Sequence, residues 1–223
     1  MNPLRPPTRS LARPLVRPLT RLAYDDALAR MRAFTAGREA GTPDEIWLVE
    51  HPPVFTLGLA TRTEHLLATG DIPVVQTERG GQVTYHGPGQ VLAYTLVDLR
   101  RHRLMVRDFV RLIEQAVIDA LAGLGLTAVR REGAPGVYLS ASDDAAGAKI
   151  ASIGIKVSRG CTYHGVALNV AMDLEPFTRI DPCGYPGQAM TDLRSLLGPA
   201  TPAMETVATL LGEKLADLIE GKA

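Results

Sequence analysis

The sequence predicts a single domain of the α+β class, or an α/β domain built on a mixed sheet. Short apolar stretches typical of strands are interspersed with long amphipathic stretches typical of helices, and turn residues separate them. Two of the strands are joined by a tight turn, which indicates an antiparallel hairpin within the sheet. A chain of 223 residues is long enough for one such domain with a full hydrophobic core.

The first half of the chain contains one predicted helix and five predicted strands. The helix spans residues 24–34, because Ala27, Leu28 and Met31 recur at helical spacing. The strands are predicted at 45–50, 54–58, 73–76, 83–85 and 91–99. Apolar residues occupy both faces of the last strand, so we expect it to be buried between two layers.

The second half contains two predicted helices. The first has seven apolar residues at a 3.6-residue period, namely Val106, Phe109, Val110, Ile113, Val117, Leu121 and Leu124. The second begins near Thr201-Pro202, since proline is favoured in the first turn of a helix. Strands are predicted at 136–139, 149–157 and 162–170, with a surface turn over 140–147 and a hairpin turn at 158–160.

The first 22 residues differ in composition from the rest. They contain five arginines and five prolines, and no acidic residue precedes Asp25. The prolines prevent the continuous amphipathic helix of an organelle transit peptide, and the apolar segment of a secretion signal is missing. We therefore expect residues 1–20 to be a disordered extension and residues 21–223 to form the functional domain.

Composition excludes several classes of function. The chain has 24 basic and 24 acidic residues, so its formal net charge is zero, and nothing favours bulk binding to nucleic acid or to a membrane surface. No stretch approaches the ~18 consecutive apolar residues of a membrane span. Two cysteines are too few for a disulfide framework, which indicates a reducing compartment, and we expect a cytoplasmic protein.

Cys183 is the first candidate for chemistry. It lies in the sequence Asp181-Pro182-Cys183-Gly184-Tyr185, where proline and glycine favour a rigid, accessible turn. A thiol there is suited to be a nucleophile, although a small buried cysteine is the alternative. A nucleophilic thiol needs a basic or cationic neighbour, and Lys149, at the start of a predicted strand, is a candidate that is otherwise a surface lysine.

A glycine-rich stretch is the second unusual feature. Residues 79–90 hold four glycines, which suggests close approach of the backbone to another group, and the pattern matches no phosphate-binding loop. Arg79, His86, His164 and Asp173 are further candidates, each histidine being equally compatible with a structural role. Zinc bound by Cys161, His164, Cys183 and His86 is disfavoured, because Cys161 and His164 point to opposite faces of an ideal strand.

Five motifs, in order, resemble the lipoyl(octanoyl) transferases. They cover about residues 21–198, and they are Trp47 to Gly58, Arg79 to Gln90, Lys149 to Gly154, Gly160 to Val170 and Asn169 to Gly184. The resemblance implies the fold of the catalytic domain of biotin and lipoate protein ligases. It also implies an acyltransferase that uses no ATP and no other cofactor or metal. We expect the protein to be a monomer.

The resemblance further implies the reaction and its residues. Such enzymes move an octanoyl group from octanoyl-acyl carrier protein to a lysine of the lipoyl domains of 2-oxoacid dehydrogenases and of the glycine-cleavage H protein. Cys183 corresponds to the nucleophile, which forms a thioester, and Lys149 to its partner. The implied substrate-binding residues are Arg79, Gly80, Gly81, Gln82, Val83, Thr84, Tyr85, His86, Ser152, Ile153, Gly154, Gly165, Val166 and Ala167, with His164 and Asp173 in support.

Two alternatives remain at this point. An ATP-dependent lipoate or biotin ligase of the same fold would need neither Cys183 nor thioester chemistry, and the sequence Pro182-Cys183-Gly184 together with Lys149 disfavours it. A non-catalytic protein that binds lipoyl domains is the second alternative, and the presence of Cys183, Lys149 and His86 disfavours it. Cys161 is a rival nucleophile, but its place at a strand entry predicts that it is buried.

Overall fold

The computed structural model describes residues 13–62, 65–140, 147–181 and 187–221. Its strands are β1 Leu15–Arg21, β2 Glu45–Glu50, β3 Val54–Leu57, β4 Val74–Gln76, β5 Thr84–His86, β6 Gln90–Leu96, β7 Ala128–Arg131, β8 Ala134–Leu139, β9 Lys149–Ser158 and β10 Cys161–Asn169. Its α-helices are α1 Tyr24–Ala36, α2 Val106–Gly123, α3 Leu193–Leu197 and α4 Met204–Glu220, and 3₁₀ turns span Glu175–Arg179 and Gly198–Ala200.

Two sheets organise the domain. The larger has the strand order β1-β2-β6-β10-β9-β8-β7, and the smaller has the order β4-β3-β5. In the large sheet β1 pairs with β2 in parallel, and the other neighbours are antiparallel. The fold class expected from the sequence, a mixed sheet with helices, is confirmed.

The two faces of the large sheet bury different layers. Helices α2 and α4 pack on one face, where Phe109, Ile113, Leu211 and Leu215 join a core that includes apolar side chains of β2, β6 and β10. Helix α1 packs on the opposite face and contributes Met31 among others. Every residue of β6 is buried, as predicted from its two apolar faces, because it lies at the centre of the sheet between these layers.

Most predicted elements are confirmed, with shifts of one to three residues at their ends. The predicted strand over 91–99 ends at Leu96, and the hairpin turn over 158–160 joins β9 to β10. Sequence periodicity missed β7 and α3, both of which are short. The start of α3 had a readable signal, because the side chain of Asp192 caps it by accepting a hydrogen bond from the amide of Ser195.

The expectation of disorder over residues 1–20 is wrong for its last part. Residues 15–21 form β1, the edge strand of the large sheet, and the irregular register between Arg17 and Thr20 accommodates Pro18. The arginines also have partners, since Arg17 pairs with Glu45 and Arg21 with Glu50. Charge pattern and prolines concealed the strand, because its stabilising contacts come from β2.

Removal of residues 1–21 is expected to lower the free energy of unfolding by about 2–5 kcal/mol. The deletion leaves the carboxylates of Glu45 and Glu50, which are 6% and 5% exposed, without their arginine partners. Urea denaturation measures the loss, and deletion of residues 1–12 alone is the control. Equal stability of the two truncated proteins would contradict a structural role for β1.

No helix in the described part of the chain is long and apolar enough to cross a membrane. The described cysteine, Cys161, is buried at the start of β10, as expected from its position. The turn predicted over 140–147 lies mostly outside the described residues, because residues 141–146 are not among them.

Candidate active site

A cavity lies on the α1 side of the large sheet, where β6, β9 and β10 run next to each other. Residues from the 79–86 stretch form part of its lining, and the space among the lining residues, including the part open to solvent, amounts to about 480 Å³. The lining residues are Tyr24, Arg79, Gly81, Gln82, Val83, Thr84, His86, Leu92, Tyr94, Ser152, Ile153, Gly154, His164, Gly165, Val166 and Ala167.

Three separate sequence segments that were predicted to bind substrate therefore meet around one cavity. Strand register explains the meeting of two of them, because Ser152 pairs with Ala167 and Gly154 with Gly165. In the third segment, Gly80 lines a neighbouring cavity instead, and Tyr85 packs its ring against Phe55 and Phe177 in the small core.

Three residues of the lining were not predicted from the sequence, namely Tyr24, Leu92 and Tyr94. Leu92 and Tyr94 belong to the strand that was predicted to be buried, and all three residues are buried. A partial signal existed for Tyr94, because a buried tyrosine hydroxyl needs a hydrogen-bond partner. Its hydroxyl lies 2.6 Å from Nε2 of His51, whose Nδ1 is 2.6 Å from the carbonyl oxygen of Leu22.

His86 forms a neutral, fully engaged part of the cavity wall. Its Nδ1 is 2.7 Å from Oε1 of Gln90, and its Nε2 is 3.2 Å from Oγ1 of Thr56. Burial lowers the pKa of His86 well below its ordinary value, and the nearby His51 lowers it further. His86 is therefore suited to shape the cavity and not to exchange protons at neutral pH.

His164 sits in an unusual backbone conformation in the middle of β10. Its φ is 60°, a left-handed value that is uncommon for a residue other than glycine. The ring of His164 stacks on that of Tyr163 at 5.1 Å, so two consecutive side chains lie side by side instead of alternating. The next residue must be glycine, because a Cβ on Gly165 would lie 2.0 Å from the carbonyl oxygen of Ala93.

The environment of His164 is apolar and cationic. Burial lowers its pKa to about 3, with a smaller contribution from the guanidinium of Arg79. Its Nε2 lines the cavity region without a hydrogen-bond partner among the described residues. The strained backbone thus holds a neutral imidazole where a bound group can reach it.

The buried histidines predict how stability depends on pH. Below about pH 6.5 the unfolded chain takes up protons on its histidines, whereas His86 and His164 stay neutral in the folded chain, so stability is lost as the pH falls. Each contributes a slope of up to about 1.4 kcal/mol per pH unit. Urea denaturation between pH 5 and 7.5 measures the slope. The His164→Asn variant, whose side chain tolerates a left-handed φ, is expected to show a shallower slope, and an unchanged slope would contradict the assignment.

Lys149 is buried completely at the start of β9 and is no surface lysine. The pairing of β8 with β9 shifts register, since Val137 pairs with Ala151 while Tyr138 pairs with Lys149. This bulge places Lys149 on the face of Tyr138, whose ring centroid is 5.3 Å from Nζ. The ammonium donates a hydrogen bond of 3.0 Å to the carbonyl oxygen of Pro135.

Gly136 makes room for the Lys149 side chain. A Cβ at this position would lie 2.5 Å from Cε and 3.0 Å from Nζ of Lys149, and the φ of 137° is itself unfavourable for other residues. Lys149 thus crosses the backbone of β8 at the one point where no side chain intervenes.

Gly136→Ala is expected to displace the Lys149 head group and to lower the acyl transfer that the sequence motifs imply by about 100-fold, the cost typical of a misplacement by about 1 Å. Transfer rate per folded molecule is the measurement, and Gly133→Ala, where a Cβ meets nothing within 4 Å, is the control. Gly133 also has a positive φ, so both variants carry backbone strain. Equal rates in the two variants would contradict this role of Gly136.

Residues 182–186, which include the predicted nucleophile Cys183, lie outside the described residues. The chain is described again from Gly187, and it then pairs with the start of β9. The amide of Lys149 donates to the carbonyl of Ala189 at 2.8 Å, and that of Thr191 donates to the carbonyl of Lys149 at 3.0 Å. The segment that follows Cys183 in the sequence, from Gly187 onward, is therefore hydrogen-bonded to the backbone of Lys149.

Asp173 and Cys161 do not join the cavity lining. Asp173 accepts a hydrogen bond from the amide of Glu175, the first residue of a 3₁₀ turn. Cys161 is 4% exposed at the hairpin end of β10, at hydrogen-bond range from Arg100. Among the residues that the structure describes, no group of three or more His, Cys, Asp or Glu is placed to hold a metal ion.

Comparison with known proteins identifies the family. Residues 17–216 match the family described as "Lipoyl protein ligase A/B catalytic domain". The chain is 59% identical over 182 residues to the octanoyltransferase of Thiobacillus denitrificans, which covers 82% of this chain and 81% of that one. The chain belongs to the octanoyltransferase family. The octanoyltransferase of Herminiimonas arsenicoxydans is 54% identical over 213 residues, or 93% of this chain and 97% of the relative.

As a member of the octanoyltransferase family, the chain is an acyltransferase. Solved structures confirm the fold that was expected. A lipoate-protein ligase A bound with ATP superposes with a TM-score of 0.72 at 15% identity, over 93% of this chain and 85% of that one. The biotin protein ligase from Aquifex aeolicus, with biotin and ATP, gives a TM-score of 0.58 at 12% identity, over 91% and 70%. Identities this low bear on the fold alone.

Proposed function

We propose that the protein transfers an octanoyl group from octanoyl-acyl carrier protein to a lysine of lipoyl domains and of the glycine-cleavage H protein. The transfer passes through a thioester on Cys183 and takes place in the cytoplasm. The observation that carries the proposal is the buried Lys149, which lies across Gly136 and is hydrogen-bonded through its backbone to the segment that follows Cys183 in the sequence. The choice of octanoyl as the acyl group rests on the relatives, which are named octanoyltransferases.

The cavity suits a straight acyl chain. Apolar side chains of Val83, Leu92, Ile153 and Val166 form much of its wall. Gly154 and Gly165 allow neighbouring backbone to approach closely, because a Cβ there would lie 2.8 Å from the carbonyl oxygen of Gly80 and 2.0 Å from that of Ala93. Burial of each methylene group contributes up to about 0.8 kcal/mol, so six or seven of them contribute about 5 kcal/mol. A cavity of this kind favours a C8 chain over short acids.

The first step exchanges one thioester for another. The thiolate of Cys183 attacks the carbonyl carbon of the donor thioester, the C–S bond to the carrier arm breaks, and the leaving carrier thiolate takes a proton from the ammonium of Lys149. The two thioesters are similar in energy, so this step is nearly balanced. Lys149, as an ammonium, favours the thiolate form of Cys183 by its positive charge.

The second step forms an amide. The acceptor lysine, with a pKa near 10.4, is neutral in only about one molecule in 2,500 at pH 7, so a base is useful. Lys149, once it has released a proton, takes the proton of the attacking amine. The C–S bond to Cys183 then breaks, and the amide product is more stable than the thioester. His86 is not needed as a base, which agrees with its engaged ring nitrogens.

Intact-protein mass spectrometry tests the proposal. The protein is mixed with octanoyl-acyl carrier protein in the absence of ATP, and we expect a mass increase of one octanoyl group that hydroxylamine removes. Subsequent addition of a lipoyl domain is expected to discharge the adduct onto the acceptor. Transfer that occurs only with free octanoate and ATP would replace the proposal with the ligase reaction.

A further inference from the structure

Six buried polar residues form one continuous chain of hydrogen bonds, which we call the polar relay. It consists of Arg79, Thr56, His86, Gln90, Asn169 and Thr191, and each of these residues is at most 7% exposed. The relay starts in the cavity wall, crosses from the small sheet to the large one, and ends at the backbone of Lys149. Thr56, Gln90 and Asn169 were not among the site residues predicted from the sequence.

The first half of the polar relay lies beside the cavity. Nη2 of Arg79 donates to Oγ1 of Thr56 at 2.8 Å, and this oxygen is 3.2 Å from Nε2 of His86. Nδ1 of His86 is 2.7 Å from Oε1 of Gln90. Strands β3, β5 and β6 supply these last three residues, so the bonds join the small sheet to the centre of the large one.

The second half leads to the catalytic lysine. Nε2 of Gln90 donates to Oδ1 of Asn169 at 2.9 Å, and Nδ2 of Asn169 donates to the carbonyl oxygen of Thr191 at 2.9 Å. The amide of Thr191 in turn donates to the carbonyl oxygen of Lys149 at 3.0 Å. The polar relay therefore supports residues 187–191, which follow Cys183 in the sequence, at the point where they pair with β9.

The Thr191 end of the polar relay fixes the direction of its hydrogen bonds. The carbonyl oxygen of Thr191 can only accept, so the amide nitrogen of Asn169 faces it, and Oδ1 of Asn169 accepts from Nε2 of Gln90. Oε1 of Gln90 then faces Nδ1 of His86, which therefore carries a proton. In the neutral ring Nε2 is the acceptor, so the hydroxyl of Thr56 donates to it while accepting from Arg79.

The opposite direction is excluded by a second acceptor. If both side-chain amides were flipped, the oxygen of Gln90 would face the carbonyl oxygen of Tyr85, which lies 3.3 Å from the position of Nε2. The oxygen of Asn169 would likewise face that of Thr191. Two pairs of acceptors would then be buried against each other without a hydrogen.

We propose that Gln90 and Asn169 are positioning residues, which hold His86 as the Nδ1-protonated tautomer in the cavity wall and hold residues 187–191 against Lys149. The consequence for catalysis rests on the function proposed above. Through these two residues the wall that contacts the acyl chain and the strand pair that places the lysine form one rigid unit, because the buried amides of Gln90 and Asn169 have a single favourable orientation.

Two spectroscopic measurements test the polar relay without reference to activity. Long-range ¹H–¹⁵N spectra of the histidine rings are expected to show His86 protonated at Nδ1, and protonation at Nε2 would overturn the proposal. In the Asn169→Asp variant the carboxylate cannot donate to Thr191. We expect hydrogen exchange at the amides of Lys149 and Thr191 to accelerate at least about tenfold, with the amides of α4 unchanged. Unchanged exchange at both would overturn it.

Kinetics then test the catalytic consequence. Asn169→Asp is expected to lower kcat about 10- to 100-fold, with KM for the octanoyl donor within about threefold, because the cavity persists while the lysine is misplaced. Gln115→Glu on α2, the same amide-to-carboxylate change, is the control and is expected to keep both constants. An equal fall in kcat for both variants, or a change confined to KM, would overturn the role. If the wild-type protein transfers no octanoyl group, the proposed function fails, and the spectra still decide the relay.

Discussion

Replacement of Cys183 by serine is expected to abolish the octanoyl adduct and to lower transfer by about 10³-fold or more. The scale is that on which removal of a covalent nucleophile acts in other enzymes. A serine hydroxyl stays protonated at neutral pH, and the charge of Lys149 is too weak to ionise it, so the first thioester exchange does not occur. Mass spectrometry of the protein mixed with octanoyl-acyl carrier protein measures the adduct, and a lipoyl domain as acceptor measures the transfer.

Cys161→Ser is the matched control, because it removes the other thiol of the chain. Cys161 is buried at the hairpin end of β10, outside the lining of the cavity, so adduct and transfer are expected to persist in this variant. A protein that loses its adduct with Cys161→Ser and keeps it with Cys183→Ser would reverse the assignment of the nucleophile. If the octanoyl adduct persists in both variants, the thioester route is wrong.

Lys149→Met is expected to separate activity from stability. Transfer should fall by about 10²- to 10⁴-fold, the range in which loss of a general acid–base group acts. The free energy of unfolding should change by no more than about 2 kcal/mol. Methionine has a similar length and fills the buried site without a charge to desolvate, while the carbonyl oxygen of Pro135 loses its donor.

The control for Lys149→Met is Lys156→Met on the same strand. Lys156 lies seven residues after Lys149 in β9, where it pairs with Tyr163 of β10. It is outside the lining of the cavity. Its replacement is expected to leave the transfer rate within about twofold. Measurement combines octanoyl transfer at saturating donor with urea denaturation of each variant. A Lys149→Met protein that transfers at the wild-type rate would refute the role of Lys149 in both steps.

The sequence by itself determined the fold class and most of the elements. Helix α2 and strand β6 were predictable because their apolar periods are set by the layers they contact on one or both sides. The motifs predicted the family and the three segments that line the cavity. Periodicity could not reveal β1, since a strand rich in arginine and proline depends on its pairing with β2 and on Glu45 and Glu50.

Only the tertiary structure decided which polar groups are buried and which hydrogen bonds they form. From the sequence alone Lys149 resembles a surface lysine. In the structure the register shift between β8 and β9 places its side chain on the buried face above Gly136. Gln90 and Asn169 are 79 residues apart in the chain, and their hydrogen bond exists because β6 pairs with β10 at that register. Local sequence carries propensity and period, whereas burial, hydrogen-bond direction and protonation depend on neighbours that only the folded chain brings together.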